Sequence, residues 1–357
     1  VARFIISKIL YGLLTLWGVV TVIFLLFNVM QGDPARMMLD QNEDPVQLAA
    51  IRHNLGYDQP KFKQYLYYLN DLSPISINSK DREDFTYYSK AKYGGKVLFS
   101  TQNYDVVLKY PYLRKSYQKQ GKPVAEIIAE TLPNTLILAT SAIVIAFILG
   151  IVLGIISAVF KDTWIDKFLL VITSIGMSVP SFFAAIIMAY IFAYLLVDYT
   201  HLNMTGSLYE VDDYGTGKYL DLKNLILPAI TLGIRPLAVI TQLTRNSLLD
   251  VMSQDYIRTA FSKGLSKKQV ILKHALKNAL NPVITATSGW FAGMLAGAVF
   301  VEFIFGWNGI GKEIVNALNT LDQPVIMGAV LVIALAFIII NILVDILYGV
   351  LDPRVRK

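Results

Sequence analysis

The chain has 357 residues, 55% of them hydrophobic, with 32 Lys and Arg against 26 Asp and Glu, three His and no Cys. Hydrophobic residues gathered into long runs make it a membrane protein, and a net charge of +6 that topology alone explains removes the reading of a nucleic-acid binder. Without cysteine no disulfide supports any part of it, and the redox compartment stays open.

Six runs, Phe4–Met30, Thr135–Phe160, Phe168–Val197, Leu225–Leu249, Val283–Phe305 and Val325–Leu351, meet or exceed the roughly 20 residues a helix needs to cross a bilayer. The expected fold is therefore an all-α membrane protein of six transmembrane helices. The first run is longer than the apolar part of a signal peptide, and Asn28, Met30 and Gln31 make a poor cleavage site, so it is expected to stay as an anchor over residues 1–30.

Residues 31–132 follow as an extracytoplasmic domain with near-balanced charge and about half of the chain's 20 tyrosines. Helical periodicity over Pro45–Leu72 predicts two helices split at Gly56–Pro60. The KYGGKVLF and YDVVLKYPYL runs predict short strands, while the fold of residues 73–120 is otherwise unread. The tyrosines pack a small core or present a partner surface.

In the third run Pro180, beside Ser178, Ser181 and Phe182, predicts a kink or unwound turn, read as a translocation pathway and gate or as a kinked packing helix. Arg235 in the fourth run is costly inside a bilayer, so it pairs with a group such as Glu302, or snorkels outward because Pro236 breaks the helix. Asp345 is expected to order the end of the last helix. Residues 250–282, between the fourth and fifth runs, carry a basic loop with an apolar stripe of Ala260, Leu265, Val270, Leu272, Ala275, Leu276 and Ala279 at helical spacing. Two short helices fit there, with Gly264 at the corner supplying a positive φ or a close approach.

Gly306-Trp-Asn-Gly-Ile-Gly-Lys312 has the spacing of a phosphate-binding loop, but Glu313 stands where the magnesium-binding Ser or Thr belongs. Gly306, Trp307, Gly309 and Gly311 are read instead as an outer re-entrant loop. His53, His201 and His274 lie too far apart for a metal site. Arg3, Lys8, Lys161, Lys167, the loop cations, Arg354, Arg356 and Lys357 place both termini in the cytoplasm, because short loops rich in Lys and Arg stay inside.

Read together, QGDPA (Gln31–Ala35), LGYDQP (Leu55–Pro60), GKPVAEIIAETLPNTLILA (Gly121–Ala139), SVPSFF (Ser178–Phe183), LPAITLG (Leu227–Gly233), LTRNSLLDVMSQDYIRTA (Leu243–Ala260), FGWNGIG (Phe305–Gly311) and DILYGVLDPRVR (Asp345–Arg356) resemble the permease subunits of ABC importers of the dipeptide, oligopeptide and nickel type, the first permease of the pair. The resemblance implies a large extracytoplasmic insertion between helices 1 and 2, a permease core over 133–357 and a cytoplasmic coupling loop between helices 4 and 5. It implies a second, homologous permease, two cytoplasmic ATPases that carry ATP and magnesium, an extracytoplasmic substrate-binding protein and a prokaryotic plasma (inner) membrane with its lipid.

On that resemblance the ATPase-coupling residues are Asp255, Tyr256, Arg258, Thr259, Ala260, Gly264, Leu265, His274, Leu276 and Pro282. Arg258 and Thr259 replace the family's Glu and Ala, His274 replaces Ile, and the usual Pro is displaced to Pro282. No catalytic residue, cofactor, metal or nucleic acid is expected on this chain. The expected cargo is a dipeptide or oligopeptide, with nickel or another small solute as the alternative, and an ATP-independent transporter or channel as the rival class. Simple scaffolding leaves Pro180 and the loop unexplained.

Overall fold

The computed structural model describes residues 2–29, 35, 44–212 and 217–351. The expectations placed on Met30–Pro34 and on the terminal Arg354, Arg356 and Lys357 lie outside them. Among the described residues five helices are long and apolar enough to cross a membrane, or six where the bent pair Trp164–Ser178 and Ser181–Leu195 counts as one span.

In chain order the elements begin with α1 (Ala2–Val29), α2 (Pro45–Asn54), α3 (Lys61–Leu72), β1 (Ile75–Ser79), a single turn α4 (Lys90–Tyr93), β2 (Lys96–Ser100) and β3 (Tyr104–Leu108). Next come α5 (Val124–Val159), α6 (Trp164–Ser178), α7 (Ser181–Tyr190) with its π-helical continuation Ile191–Leu195, a short α8 (Val197–Thr200), and the hairpin β4 (Tyr209–Val211) and β5 (Lys218–Leu220). The chain closes with α9 (Lys223–Met252), α10 (Asp255–Ser262), the turn α11 (Lys267–Gln269) running through a π-helical stretch Val270–Ala275 into α12 (Leu276–Ile304), then α13 (Ile310–Asn319) and α14 (Gln323–Leu351). Among the described residues the membrane-length segments are helical apart from the break at Val179–Pro180, and strands occur only between them.

Two spans are longer than their apolar runs. The 36 residues of α5 and the 38 of Lys267–Ile304 reach about 54 and 57 Å at 1.5 Å per residue, well beyond a hydrocarbon core of about 30 Å. Each is therefore longer than a straight crossing of the hydrocarbon core requires. The start of α5 at Val124, ahead of the expected Thr135, has a local cause: Glu126 in the first turn favours the positive end of the helix dipole, and the helix continues through Pro133.

The contacts divide the chain into two compact units. One holds Ile6–Glu130 and Glu313–Ala334. Asp44 caps α2 by accepting from the Val46 amide at 2.9 Å, with Pro45 as the first helical residue. Gly56, at φ +70°, turns the chain between α2 and α3 as expected. Tyr65 and Tyr68 of α3 lie against Phe24 of α1, and the Tyr65 hydroxyl meets Thr21 Oγ1 at 2.7 Å. Tyr68 and Tyr93 are buried while Tyr110 is almost fully exposed, so the tyrosines chiefly pack the interior of this unit.

The expected strands form as β2 and β3, joined in an antiparallel sheet of order β1-β3-β2. Strand β1 was unforeseen. It turns Ser76 and Asn78 inward at 0% exposure and leaves Ile75 and Ile77 outward at 57% and 59%. The buried polar pair is satisfied locally, Ser76 Oγ donating to Asn78 Oδ1 at 2.6 Å and Asn78 Nδ2 to the Thr86 carbonyl at 3.0 Å.

The other unit holds Val1–Ile5, Thr131–Lys312 and Leu335–Lys357. Here α5 and α9 cross at backbone contact. A Cβ on Gly150 would lie 2.6 Å from Ile240, and one on Gly154 would lie 2.5 Å from Thr244. Small residues at such crossings let dispersion contacts hold helices together where lipid offers no hydrophobic drive.

Candidate functional site

Three polar features stand out in the second unit: an elbow between α9 and α12, a break between α6 and α7, and the glycine-rich loop before α13. The elbow begins with α10, an amphipathic helix whose Ile257 and Ala260 are buried in one cluster with Leu248 and Val251 of α9 and with Val270, Ile271, Ala275 and Ala279. Asp255, Tyr256, Arg258 and Thr259 lie on the exposed side. The Arg258–Asp255 pair at 3.3 Å is itself exposed and stabilises little. Tyr256 is held by Asn278, whose Nδ2 donates to its hydroxyl at 2.8 Å.

Gly264 makes the corner at φ +79° and a Cβ there would meet nothing within 4 Å, so the requirement is the left-handed backbone and not close packing. Ser266 and Gln269 then form a reciprocal capping box that starts the next helix. The expected second short helix is corrected: it is the first part of the span Lys267–Ile304. The apolar stripe is corrected too, since Leu272 is exposed and Ile271 buried. The π-helical stretch Val270–Ala275 accounts for this, because its wider turn brings Ile271 beside Val270 and turns Leu272 out, while Ala275 and Ala279 stay buried. Leu265 and Leu276 are half-buried, and His274 and Pro282 are exposed on the helix that follows.

At Pro180 the span bends by 112°. Proline lacks the N–H that would continue α6, and the chain restarts at Ser181. A continuous helix would pair the Met177 carbonyl with the Ser181 amide. Instead Arg235 Nε and one terminal nitrogen both donate to that carbonyl at 3.4 Å. The expected Arg235–Glu302 pair does not form, and Pro236 does not break α9, in which it lies buried. Arg235 closes the carboxyl end of α6, where a cation also meets the negative pole of the helix. Ser178 Oγ donates back to Ser174 O at 2.9 Å, and Phe182 packs edge-on against Phe300 at 6.3 Å.

Glu302 is fully buried beneath the loop. Its Oε2 accepts from the Gly311 and Lys312 amides at 2.7 and 3.3 Å, filling the start of α13 where a phosphate would bind in a nucleotide loop. Trp307 is wholly buried and its indole N–H donates to the Asn134 carbonyl at 3.1 Å, while Thr135 Oγ1 accepts from the Ile310 amide at 2.9 Å. Gly306 has φ +67°, and a Cβ on Gly309 would collide with Glu302. Gly311→Ala would set its methyl 2.5 Å from Val299 Cα. That contact is with backbone, so a loss of about 1–3 kcal/mol or more is expected. Thermal unfolding in detergent checks this, with Gly289→Ala, whose Cβ meets nothing within 4 Å, unchanged or slightly stabilised.

One further ion pair was missed in the sequence. Arg245 of α9 forks onto Asp166 of α6, Nε to Oδ1 at 2.7 Å and a terminal nitrogen to Oδ2 at 2.6 Å. Nothing in the spacing joins residues so far apart; the only signal was a carboxylate at the start of one span and a guanidinium late in another. Among the described residues no group of His, Asp and Glu is placed to hold a metal ion.

Membrane-length helices, one of them broken, together with a braced and outward-facing elbow define a multi-pass transport permease. The chain belongs to the family of binding-protein-dependent transport system inner membrane components, whose model matches residues 150–357, with that of the family's N-terminal region matching residues 1–139. It is 32% identical to a dipeptide transport system permease of Alkalihalophilus pseudofirmus over 95% of both chains. It is likewise 32% identical to a di/tripeptide transport system permease of Pseudomonas aeruginosa over 96% of this chain and 95% of the relative. A glutathione transport system permease of Escherichia coli strain K12 is also 32% identical, over 99% of both. The chain is thus a multi-pass inner membrane protein of an ABC transport system, and its family is one of transport permeases and not of catalysts.

Proposed function

We propose that this chain forms half of the translocation pore of an ATP-driven importer of di- and oligopeptides. The observation that carries the reading is end-to-end similarity to permeases named for dipeptides, di/tripeptides and glutathione. In it residues 31–132 are an extracytoplasmic insertion, residues 133–357 are the permease core, and both termini and the 250–282 elbow face the cytoplasm. A homologous second permease completes the pore, two ATPases that hold ATP and magnesium grip the exposed face of α10, and an extracytoplasmic protein delivers the peptide. This chain needs no cofactor or metal of its own.

The elbow supports the coupling role physically. Ile257 and Ala260 tie α10 to the end of α9 and the start of α12, so a push on its exposed face displaces both helices together. The break at Pro180, with Arg235 across it, is the pathway gate in this reading, because irregular backbone at membrane depth belongs where it lines a polar cavity. Gly306–Gly311 would close the outer end. The test is uptake of a labelled dipeptide by proteoliposomes holding the co-purified assembly. Uptake is expected only with ATP inside the cytoplasmic face and binding protein outside, and uptake without ATP would overturn the reading.

A further inference from the structure

Within the first unit, Lys92, Lys109 and Arg114 gather round the buried Asp71, with Lys109 buried and the other two half-buried. Asp71, 1% exposed, accepts from Arg114 Nε at 2.9 Å, and its backbone carbonyl accepts from Lys109 Nζ. Lys92 Nζ donates to a neutral acceptor, the Phe85 carbonyl at 2.7 Å, and lies over the Phe85 and Tyr93 rings at 4.3 and 4.6 Å. Three cations therefore surround one buried carboxylate, with Asp84 acting on Lys92 only at longer range. Positive charge held partly out of water beyond what one carboxylate neutralises favours an anion beside it.

Beside the cluster lies a cavity of about 280 Å³ lined by Lys92, Arg114, Lys115, Phe85, Tyr112 and Tyr117 among others, with no carboxylate in its wall. Arg114 has a planar fork of five donors, of which only Nε is used among the described residues. The fork is flanked by the Tyr68 and Phe85 rings at 5.7 and 5.2 Å. Arg114 is also held at φ +65°, a left-handed conformation in which a bulky residue is strained. A strained, stacked and underused guanidinium facing an aromatic cavity fits a planar anion with an apolar body.

We propose that this cavity binds a small organic carboxylate, the anionic group on Arg114, Lys92 and Lys115 and the apolar part on Phe85, Tyr112 and Tyr117, the ligand being the free C-terminal carboxylate of a short peptide. The peptide assignment rests on the function proposed above; the carboxylate assignment does not. Lys92 gives the site a second signature. Burial pushes its ammonium down to about 8, with Arg114 and Lys109 pushing the same way and Asp71 and Asp84 opposing. An anion bound beside it favours the charged form, so binding near pH 8 takes up a proton.

Calorimetric titration of the full-length chain in nanodiscs tests this, using alanylphenylalanine, its C-terminal amide, 3-phenylpropionate and sulfate. The dipeptide is expected to bind with proton uptake, seen by repeating the titration in buffers of different ionisation enthalpy. Its amide is expected to bind about tenfold or more weakly, the loss of a charge-assisted contact. Arg114→Lys, which loses the fork, and Lys115→Gln, at an exposed position that leaves the fold intact, are both expected to weaken the dipeptide. Binding of phenylpropionate without the dipeptide would keep the site and remove the peptide assignment. Failure of both carboxylates, sulfate binding as tightly as they do, or Lys115→Gln and Arg114→Lys both without effect would overturn the site, even where ATP-driven peptide uptake is intact.

Discussion

Replacing Gly264 by valine is expected to lower ATP-driven uptake about tenfold or more while the chain still inserts in the membrane. The turn there needs φ +79°, and a β-branched residue in the left-handed region costs about 1–3 kcal/mol. At 1.4 kcal/mol per factor of ten, that strain is enough to depopulate the elbow's native corner. Open space around the missing Cβ makes the reason separable from bulk. Asparagine, which tolerates the same backbone, is expected to stay within about twofold of wild type, with alanine between the two. The measurement is peptide uptake in vesicles normalised to the amount of chain in the membrane. Valine transporting like glycine would remove the coupling role of the elbow, while equal losses for asparagine and valine would place a partner's surface, and not φ, at this corner.

The same corner shows what could be read from the residues alone. Gly264 between two apolar-periodic stretches marks a turn whatever its partner, and the apolar runs mark spans because both features are local and periodic. Pro180 was equally legible as an interruption, since a missing N–H acts wherever the chain goes. Its consequence was not: a 112° bend needs a neighbour to take up the freed carbonyl, and Arg235 performs that role from another helix. The pairing expected for Arg235 failed because sequence supplies candidates of opposite charge but not the depth or direction of each. Glu302 found backbone amides instead. Strand β1 inverts the usual pattern, with Ile75 and Ile77 outward and Ser76 and Asn78 inward, so apolar alternation does not mark its buried face. Of the inward residues expected after Val270, Ala275 and Ala279 are buried and Leu272 alone gives way to Ile271, within a π-helical stretch that no apolar count detects.

Arg245→Ala is expected to destabilise the folded permease by about 3–5 kcal/mol, the cost of leaving one partner of a buried ion pair alone. The Asp166 side chain is 2% exposed and that of Arg245 14%, so the carboxylate has little solvent of its own to replace the guanidinium. Asp166 would keep only the Ser157 hydroxyl and the Asp162 amide. Arg245→Lys is expected to recover part of the loss, because an ammonium reaches one carboxylate oxygen where the guanidinium holds both. Exchanging both partners, Asp166→Asn with Arg245→Met, is expected to recover most of it, since the penalty lies in the orphaned charge and not in the absence of the pair. The pair also braces α6 against the end of α9 that carries α10. Arg245→Ala is thus expected to reduce uptake further than its effect on the amount of folded chain explains, and the double exchange to restore stability without full uptake. Denaturant titration in detergent beside uptake in vesicles separates these effects. Full uptake in the double exchange would leave the pair a purely stabilising role, and an unchanged stability in Arg245→Ala would remove the ion pair from the account altogether.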